Sequence, residues 1–171
     1  GDTGIQRREI DILARFAREH HVFISCGTMT ELRATNVVSV LLDDTGNVVA
    51  KYQKRDAMDE ATAGMEPPTI VQNRLGKVST LICSDIEKDR FVKAYTRCGP
   101  VLLINPCHIQ PVSGQGSRAD LLASTWRVSL ESTNRRLEHI AYSTAATIIR
   151  CDMPHPVGMG NTTVVTPADR M

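Results

Sequence analysis

Several things are missing from this sequence, and each absence closes off a class of protein. Charge of one sign is absent: 20 Lys and Arg stand against 19 Asp and Glu, a formal +1 over 171 residues. A strong field for nucleic acid or for an anionic membrane surface is therefore excluded as the main theme. No apolar run reaches the ~18 residues that span a bilayer. The opening Gly1-Asp2-Thr3-Gly4 is polar and has no signal-peptide character. Paired cysteines are absent too. Cys26, Cys83, Cys98, Cys107 and Cys151 are odd in number and widely spaced, with no Cys-x-x-Cys, which excludes a disulfide scaffold, a zinc ribbon and a thioredoxin-type motif. They read as reduced, mostly buried thiols of a cytoplasmic chain. Neither a Walker loop nor a dinucleotide Gly pattern occurs, and no cofactor is implied.

What is present is one domain's worth of chain with 42% hydrophobic residues, ample for a core. Ile10, Leu13, Ala14 and Ala17 predict an amphipathic helix over 5–20. Val22-Phe23-Ile24 predicts a buried strand ending at Cys26-Gly27. Residues 37–42 and 47–52 predict a hairpin around Asp43-Asp44-Thr45-Gly46. Residues 53–69 lack a clean period and read as a long loop. A strand pair follows around Gly76, at 69–72 and 77–82. Phe91, Ala94, Tyr95 and Cys98 mark a helix stopped by Gly99-Pro100. Residues 101–104 predict a buried strand, and Leu122, Trp126, Leu130 and Leu137 a long helix. Strands at 141–150 and 162–166 close the chain. Mixed sheets covered by helices suit this order, and the apolar strands without alternation suggest burial on both faces.

Two segments carry candidate chemistry. Lys51-Tyr52-Gln53-Lys54-Arg55 runs out of the hairpin into the long loop; by itself it reads as a solvated strand end. Gly76-Lys77-Val78-Ser79-Thr80-Leu81-Ile82-Cys83-Ser84-Asp85 is an apolar strand ending in Cys-Ser-Asp with a helix behind it. A thiol on such a turn sits near backbone N–H groups that lower its pKa and can hold an oxyanion. By itself it also reads as a buried cysteine at a strand end.

Together, these segments resemble the nitrilase, or carbon–nitrogen hydrolase, superfamily, and the resemblance covers most of the chain. Tyr52-Gln53-Lys54 is similar to its Tyr-x-Lys segment. Ile82-Cys83-Ser84-Asp85 is similar to its Ile-Cys-x-Asp elbow. Arg136-Leu137-Glu138-His139 resembles its Arg-x-x-Glu-Asn helix end, and Gly160-Asn161-Thr162 with Val164-Val165-Thr166-Pro167 its late strand. The helix into Gly27, the Asn36-started hairpin and the strand running from Val101 to Pro106 fall in the family's order.

The resemblance implies an α/β fold, a nitrilase-like α-β-β-α four-layer sandwich, occupying 1–171 as a partial domain. It implies hydrolysis of a non-peptide C–N bond in a small amide or carbamoyl substrate. Cys83 would be the nucleophile, Lys54 the electrostatic stabiliser, the Ser84 N–H a second oxyanion donor and Glu60 the family's second glutamate, with Glu66 a weaker match. His108 would border the substrate. A homo-oligomer is expected, with no membrane and no direct nucleic-acid contact. The family's first strand and first catalytic Glu find no match, since nothing before Ile5 can stand for them. Three explanations stand open: a segment outside this chain, another part of a larger polypeptide, or a non-catalytic module, as in nitrilase-like domains fused to synthetases or antiphage reverse transcriptases. Ser84 where the family commonly has an aromatic, and Asp89-Arg90-Phe91 in place of Phe-Pro-Glu, depart from the pattern.

Competing chemistries are weaker. A Cys–His hydrolase would pair Cys83 with His108 or His139, but no spacing demands it. Cys107-His108 lacks further ligands at metal spacing. A zinc deaminase requires a second Cys after Pro106-Cys107 that is not there.

Overall fold

A computed structural model describes residues 4–29, 37–54, 69–107, 118–152 and 162–167. The elements are α1 (Gly4–His20), β1 (Ile24–Met29), β2 (Val37–Leu42), β3 (Val48–Gln53), β4 (Ile70–Asn73), β5 (Gly76–Thr80), a 3-10 helix (Cys83–Glu87), α2 (Asp89–Cys98), β6 (Leu102–Cys107), α3 (Arg118–Thr144), β7 (Thr147–Asp152) and β8 (Thr163–Val165). They form two sheets, an antiparallel β1-β2-β3 and a five-stranded β4-β5-β6-β7-β8. In the second sheet β5, β6 and β7 run parallel, flanked by antiparallel β4 and β8.

The layers follow from which side chains are apolar. Val38, Val40 and Leu42 alternate along β2 and bury one face against Ile10, Leu13 and Ala14 of α1. The intervening Ser39 and Leu41 are buried as well, so β2 is covered on both faces, as its unalternating sequence predicts. On the far side, Phe91, Val92 and Tyr95 of α2 and Leu137, Ile140 and Ala141 of α3 share one core with Leu103 and Ile148 of the larger sheet. Full burial of each such Leu or Ile is worth about 1.5–3 kcal/mol. Between the sheets, β1 touches β6 and β3 touches β4. The α-β-β-α order of layers is thus present. Among the described residues no helix is long and apolar enough to cross a membrane.

The helix stop at Gly99 is real: its φ of 61° is left-handed, and its N–H reaches the Tyr95 carbonyl at 3.1 Å. Several strand ends shift from the sequence reading, β5 stopping at Thr80 and not 82 and β6 running on to Cys107 and not 104, and two further boundaries have a clear local cause. The first strand starts at Ile24, not Val22, because α1 closes through the Val22 N–H on the Ala17 carbonyl and His21 at φ 52°. Residues 141–144 belong to α3, not to a strand. Ala141 and Thr144 continue the buried face of Leu137 and Ile140, the Thr144 hydroxyl bonds the Ile140 carbonyl at 2.7 Å, and the chain turns only at Ala145, φ 53°. The thiols are free but less buried than the sequence suggests: Cys26, Cys83, Cys98 and Cys107 are partly covered and Cys151 is exposed.

Candidate active site

Strand β5 ends at Thr80, and the chain then makes an abrupt corner. The Leu81 N–H still bonds the Ile104 carbonyl of β6 at 3.0 Å. Two residues later Cys83 sits at φ 48°, a left-handed conformation that costs a non-glycine residue on the order of 1–2 kcal/mol. Such strain persists only where its surroundings impose it, and here they do. Asn105, fully buried in β6, donates its carboxamide N–H to the Leu81 carbonyl at 2.5 Å and reaches the Cys83 carbonyl at 3.4 Å. The Asp85 N–H returns to the Ile82 carbonyl at 3.0 Å. Ile86 plugs the far end of the 3-10 helix into the core. Beyond it, Arg136 of α3 donates to the Ile86 carbonyl at 3.1 Å and to the Asp89 carboxylate at 2.6 Å. That hydrogen bond first, then the guanidinium charge, holds the Asp89 carboxyl below its ordinary value.

The second wall comes from the other sheet. Tyr52 and Lys54 are two apart at the end of β3 and so leave the strand on the same side. Both converge on the segment after Cys83. The Lys54 ammonium donates to the Ser84 hydroxyl oxygen at 2.7 Å and lies 3.9 Å from Asp85 Oδ1. The Tyr52 hydroxyl donates to Asp85 Oδ2 at 2.7 Å. Asp85 is wholly inaccessible. A buried carboxylate is costly unless hydrogen-bonded and paired; here Tyr52 supplies the bond and Lys54 the charge. The Tyr-x-Lys and Cys-x-Asp spacings thereby acquire a physical reason, since each places two side chains on one network joining the sheets.

Of the residues singled out from the sequence, Cys83, Ser84 and Lys54 are brought together at this corner. Glu60, Glu66 and His108 lie outside the described residues. His139 is exposed on α3, where it lines a groove of about 560 Å³ with Asp89, Val92 and Thr96 of α2. Sequence reasoning gave no role to Tyr52, Asp85, Asn105 or Arg136. Asn105 carried a signal, being a lone carboxamide inside an apolar strand. Cys107, two residues further along β6, is a contrasting thiol: burial pushes it up to about 12, while Arg150 pulls it down and Asp152, Cys83 and Cys151 push it up.

Known proteins supply a second, independent line. Among curated proteins, none matches the chain in sequence. Solved structures do match. The amidase from Nesterenkonia sp. AN1, carrying the acetamide moiety of fluoroacetamide covalently added at its active-site cysteine, is 22% identical, with 95% of this chain and 60% of that chain covered at a TM-score of 0.68. A variant of the same amidase in complex with butyramide is 20% identical, with 95% and 60% covered at a TM-score of 0.67. At this identity the likeness is one of fold, and the present chain spans about 60% of those structures' length. The sequence pattern is more specific: the model of the carbon-nitrogen hydrolase family matches residues 3–168. The chain belongs to the carbon–nitrogen hydrolase family.

Proposed function

We propose that this chain carries the thiol of an enzyme that hydrolyses the C–N bond of a small amide or carbamoyl compound through a covalent acyl intermediate on Cys83. The observation that carries the reading is the position of Lys54. Thirty residues away in sequence, its ammonium lies 2.7 Å from the hydroxyl of the residue next to the strained Cys83. A fixed cation beside a thiol at a strand end is what covalent amide chemistry requires. Holding Lys54 on Ser84 through a network that joins both sheets also favours an enzyme over a non-catalytic module.

In this reading a carboxylate takes the Cys83 proton, and the sulfur attacks the amide carbon. The Lys54 ammonium and the Ser84 N–H receive the charge that grows on the oxygen. The C–N bond breaks, the proton goes to the departing nitrogen, and ammonia leaves a thioester behind. Water, deprotonated by the carboxylate, attacks the thioester; the C–S bond breaks, the acid departs and the thiol is restored. Amide, water and the protein's own groups balance every atom. Glu60, six residues past Lys54, is the second carboxylate of this reading, and His108, following β6, borders the substrate. The five free thiols suit a reducing cytoplasm. The exposed Ile12 and Phe16 of α1 suit assembly with further copies of the chain.

Intact mass spectrometry after incubation with an amide library that includes butyramide tests the reading. An acyl adduct on Cys83, absent from Cys83→Ala at unchanged circular dichroism, is the expected result. Turnover by Cys83→Ala equal to that of the unaltered protein overturns it. Lys54→Ala is expected to lose at least about 10²-fold in kcat per folded molecule and to lower Tm as well, because the buried Asp85 keeps its Tyr52 bond but loses its charge partner. A fall in Tm with kcat per folded molecule unchanged would make Lys54 a structural residue instead.

A further inference from the structure

Arg150 has no part in the chemistry above, yet it is the largest fully buried side chain among the described residues, at 2% exposure. Its Nε and Nη2 have no hydrogen-bond partner among those residues, and no carboxylate pairs with it there. A guanidinium withdrawn from water is costly unless an anion or several acceptors meet it. Its N–H groups form a planar fork that matches a carboxylate.

The strand register locates this fork. Thr80, Ile104 and Ile149 are level across β5, β6 and β7. Arg150 and its partner Asn105 are one residue beyond that row, level with Leu81, and Cys83 is two residues further on. All of them lie in or beyond the carboxyl-terminal halves of the parallel strands, toward the end where ligands of open α/β sheets bind. Registered neighbours in a parallel pair face the same side, so Arg150 shares its face with Asn105, whose amide touches the Cys83 carbonyl at 3.4 Å. Asn105 Oδ1 is also buried without a donor among the described residues. Two idle donors, two strands from β5, and one idle acceptor, one strand from it, are therefore level with the start of the turn that carries the proposed nucleophile. Cys107, next along that face, feels the charge of Arg150 and of Cys83 together.

We propose that Arg150 is a specificity residue of this site, and that the acyl part of the amide substrate carries a carboxylate which the Arg150 fork receives. The substrate class is then the monoamides of dicarboxylic acids and related anionic amides. Asn105 Oδ1 is left to accept an N–H or a water at the same place. The inference rests on the Cys83 reading for its location, but the anion site itself can be tested without turnover.

The test uses the full chain, with malonamate, succinamate and glutaramate set against propionamide, butyramide and pentanamide. The best anionic amide is expected to exceed the best neutral one by at least about 100-fold in kcat/KM, as a site built around a buried donor rejects an analogue lacking the acceptor. Arg150→Gln should erase that preference through KM and leave neutral amides within about threefold of their starting rates. Arg150→Lys, which keeps the charge and loses the fork, should reduce the preference about tenfold. Neutral amides turned over as well as anionic ones, or both series falling equally in Arg150→Gln, overturns the proposal. Should Arg150→Gln not fold, the comparison on the unaltered protein and on Arg150→Lys decides. Should no amide be turned over or acylate Cys83, the hydrolase reading fails, and calorimetry with succinate, glutarate and butyrate decides the anion site separately. Dicarboxylate binding that weakens in Arg150→Lys upholds it; no binding, which leaves only water at the fork, overturns it.

Discussion

Two corners of this molecule do the same mechanical job by opposite means. Between β2 and β3 the chain reverses within five residues, and nearly everything it requires is local. One oxygen of Asp43 accepts from the Thr45 N–H at 2.9 Å, the Thr45 hydroxyl at 2.7 Å and the Asn47 N–H at 2.8 Å. Gly46, at φ 82°, takes the left-handed position where a side chain would run into the Ala14 carbonyl of α1. At Cys83 the left-handed residue is not a glycine, and the groups that hold it come from far away. Asn105 bonds across 24 and 22 positions, Tyr52 across 33, Lys54 across 30 and Arg136 across 50. A turn that only reverses the chain is made from its own residues. The turn that carries the proposed nucleophile is built by the rest of the fold.

The contrast is sharpest at Asn105. Asn105→Ala removes both bonds to the elbow and leaves the Leu81 carbonyl buried without its donor. A loss of about 1–3 kcal/mol is expected from urea unfolding. The proposed amide hydrolysis is expected to fall by at least about 10²-fold even where the protein remains fully folded, since small misplacements of the proposed nucleophile are that costly. Unchanged kcat at full folding would show that the elbow keeps its shape without long-range support, and the contrast between the corners would vanish.

A smaller effect separates the two thiols at neighbouring strand ends. Cys107 is pushed up to about 12, chiefly by burial, so at pH 8 only about one molecule in 10⁴ carries its thiolate. Raising the pH by one unit multiplies that fraction about tenfold and still leaves it negligible. Iodoacetamide at pH 8 should therefore modify Cys83 at least about tenfold faster than Cys107, read by peptide mass spectrometry. Equal labelling would mean that position in the fold, and not the elbow, sets thiol reactivity here.

The same contrast explains what could be read from the sequence. The hairpin is legible because Asp43, Thr45 and Gly46 are neighbours whose turn chemistry is local. The end of α2 is legible because Gly99 follows a clean helical spacing. Cys83 and Lys54 emerged as candidates because their short motifs recur in the family's order. Nothing local marks Tyr52 as the partner of Asp85, or Arg136 as a clamp on the Ile86 carbonyl, because those contacts exist only once two sheets and a helix have packed. The boundary of α3 differs from the sequence expectation for a related reason. Ala141 to Thr144 is compatible with a buried helix or a buried strand, and periodicity does not separate the two over so short a run.

The smallest effect belongs to the local corner. Asp43 is held below its ordinary value, first by the Thr45 hydroxyl and next by the Asn47 N–H. A carboxyl depressed in the folded state stabilises the protein above its unfolded pKa, and that contribution is lost as the pH falls through the folded value. The stability conferred by Asp43 is therefore complete at pH 7, begins to fall near about pH 4 and is lost as the pH passes through the lower folded value. The group faces solvent, so its charge is screened and most of its worth lies in the three hydrogen bonds. Asp43→Ala should cost about 1 kcal/mol at pH 7, the order of a lost helix cap, and progressively less as the pH falls below about 4. Turnover per folded molecule should not change, because this corner holds no reacting group. If Asp43→Ala lowered activity more than stability, the hairpin would be transmitting strain along β3 to Lys54, and the two corners would have to be treated as one device.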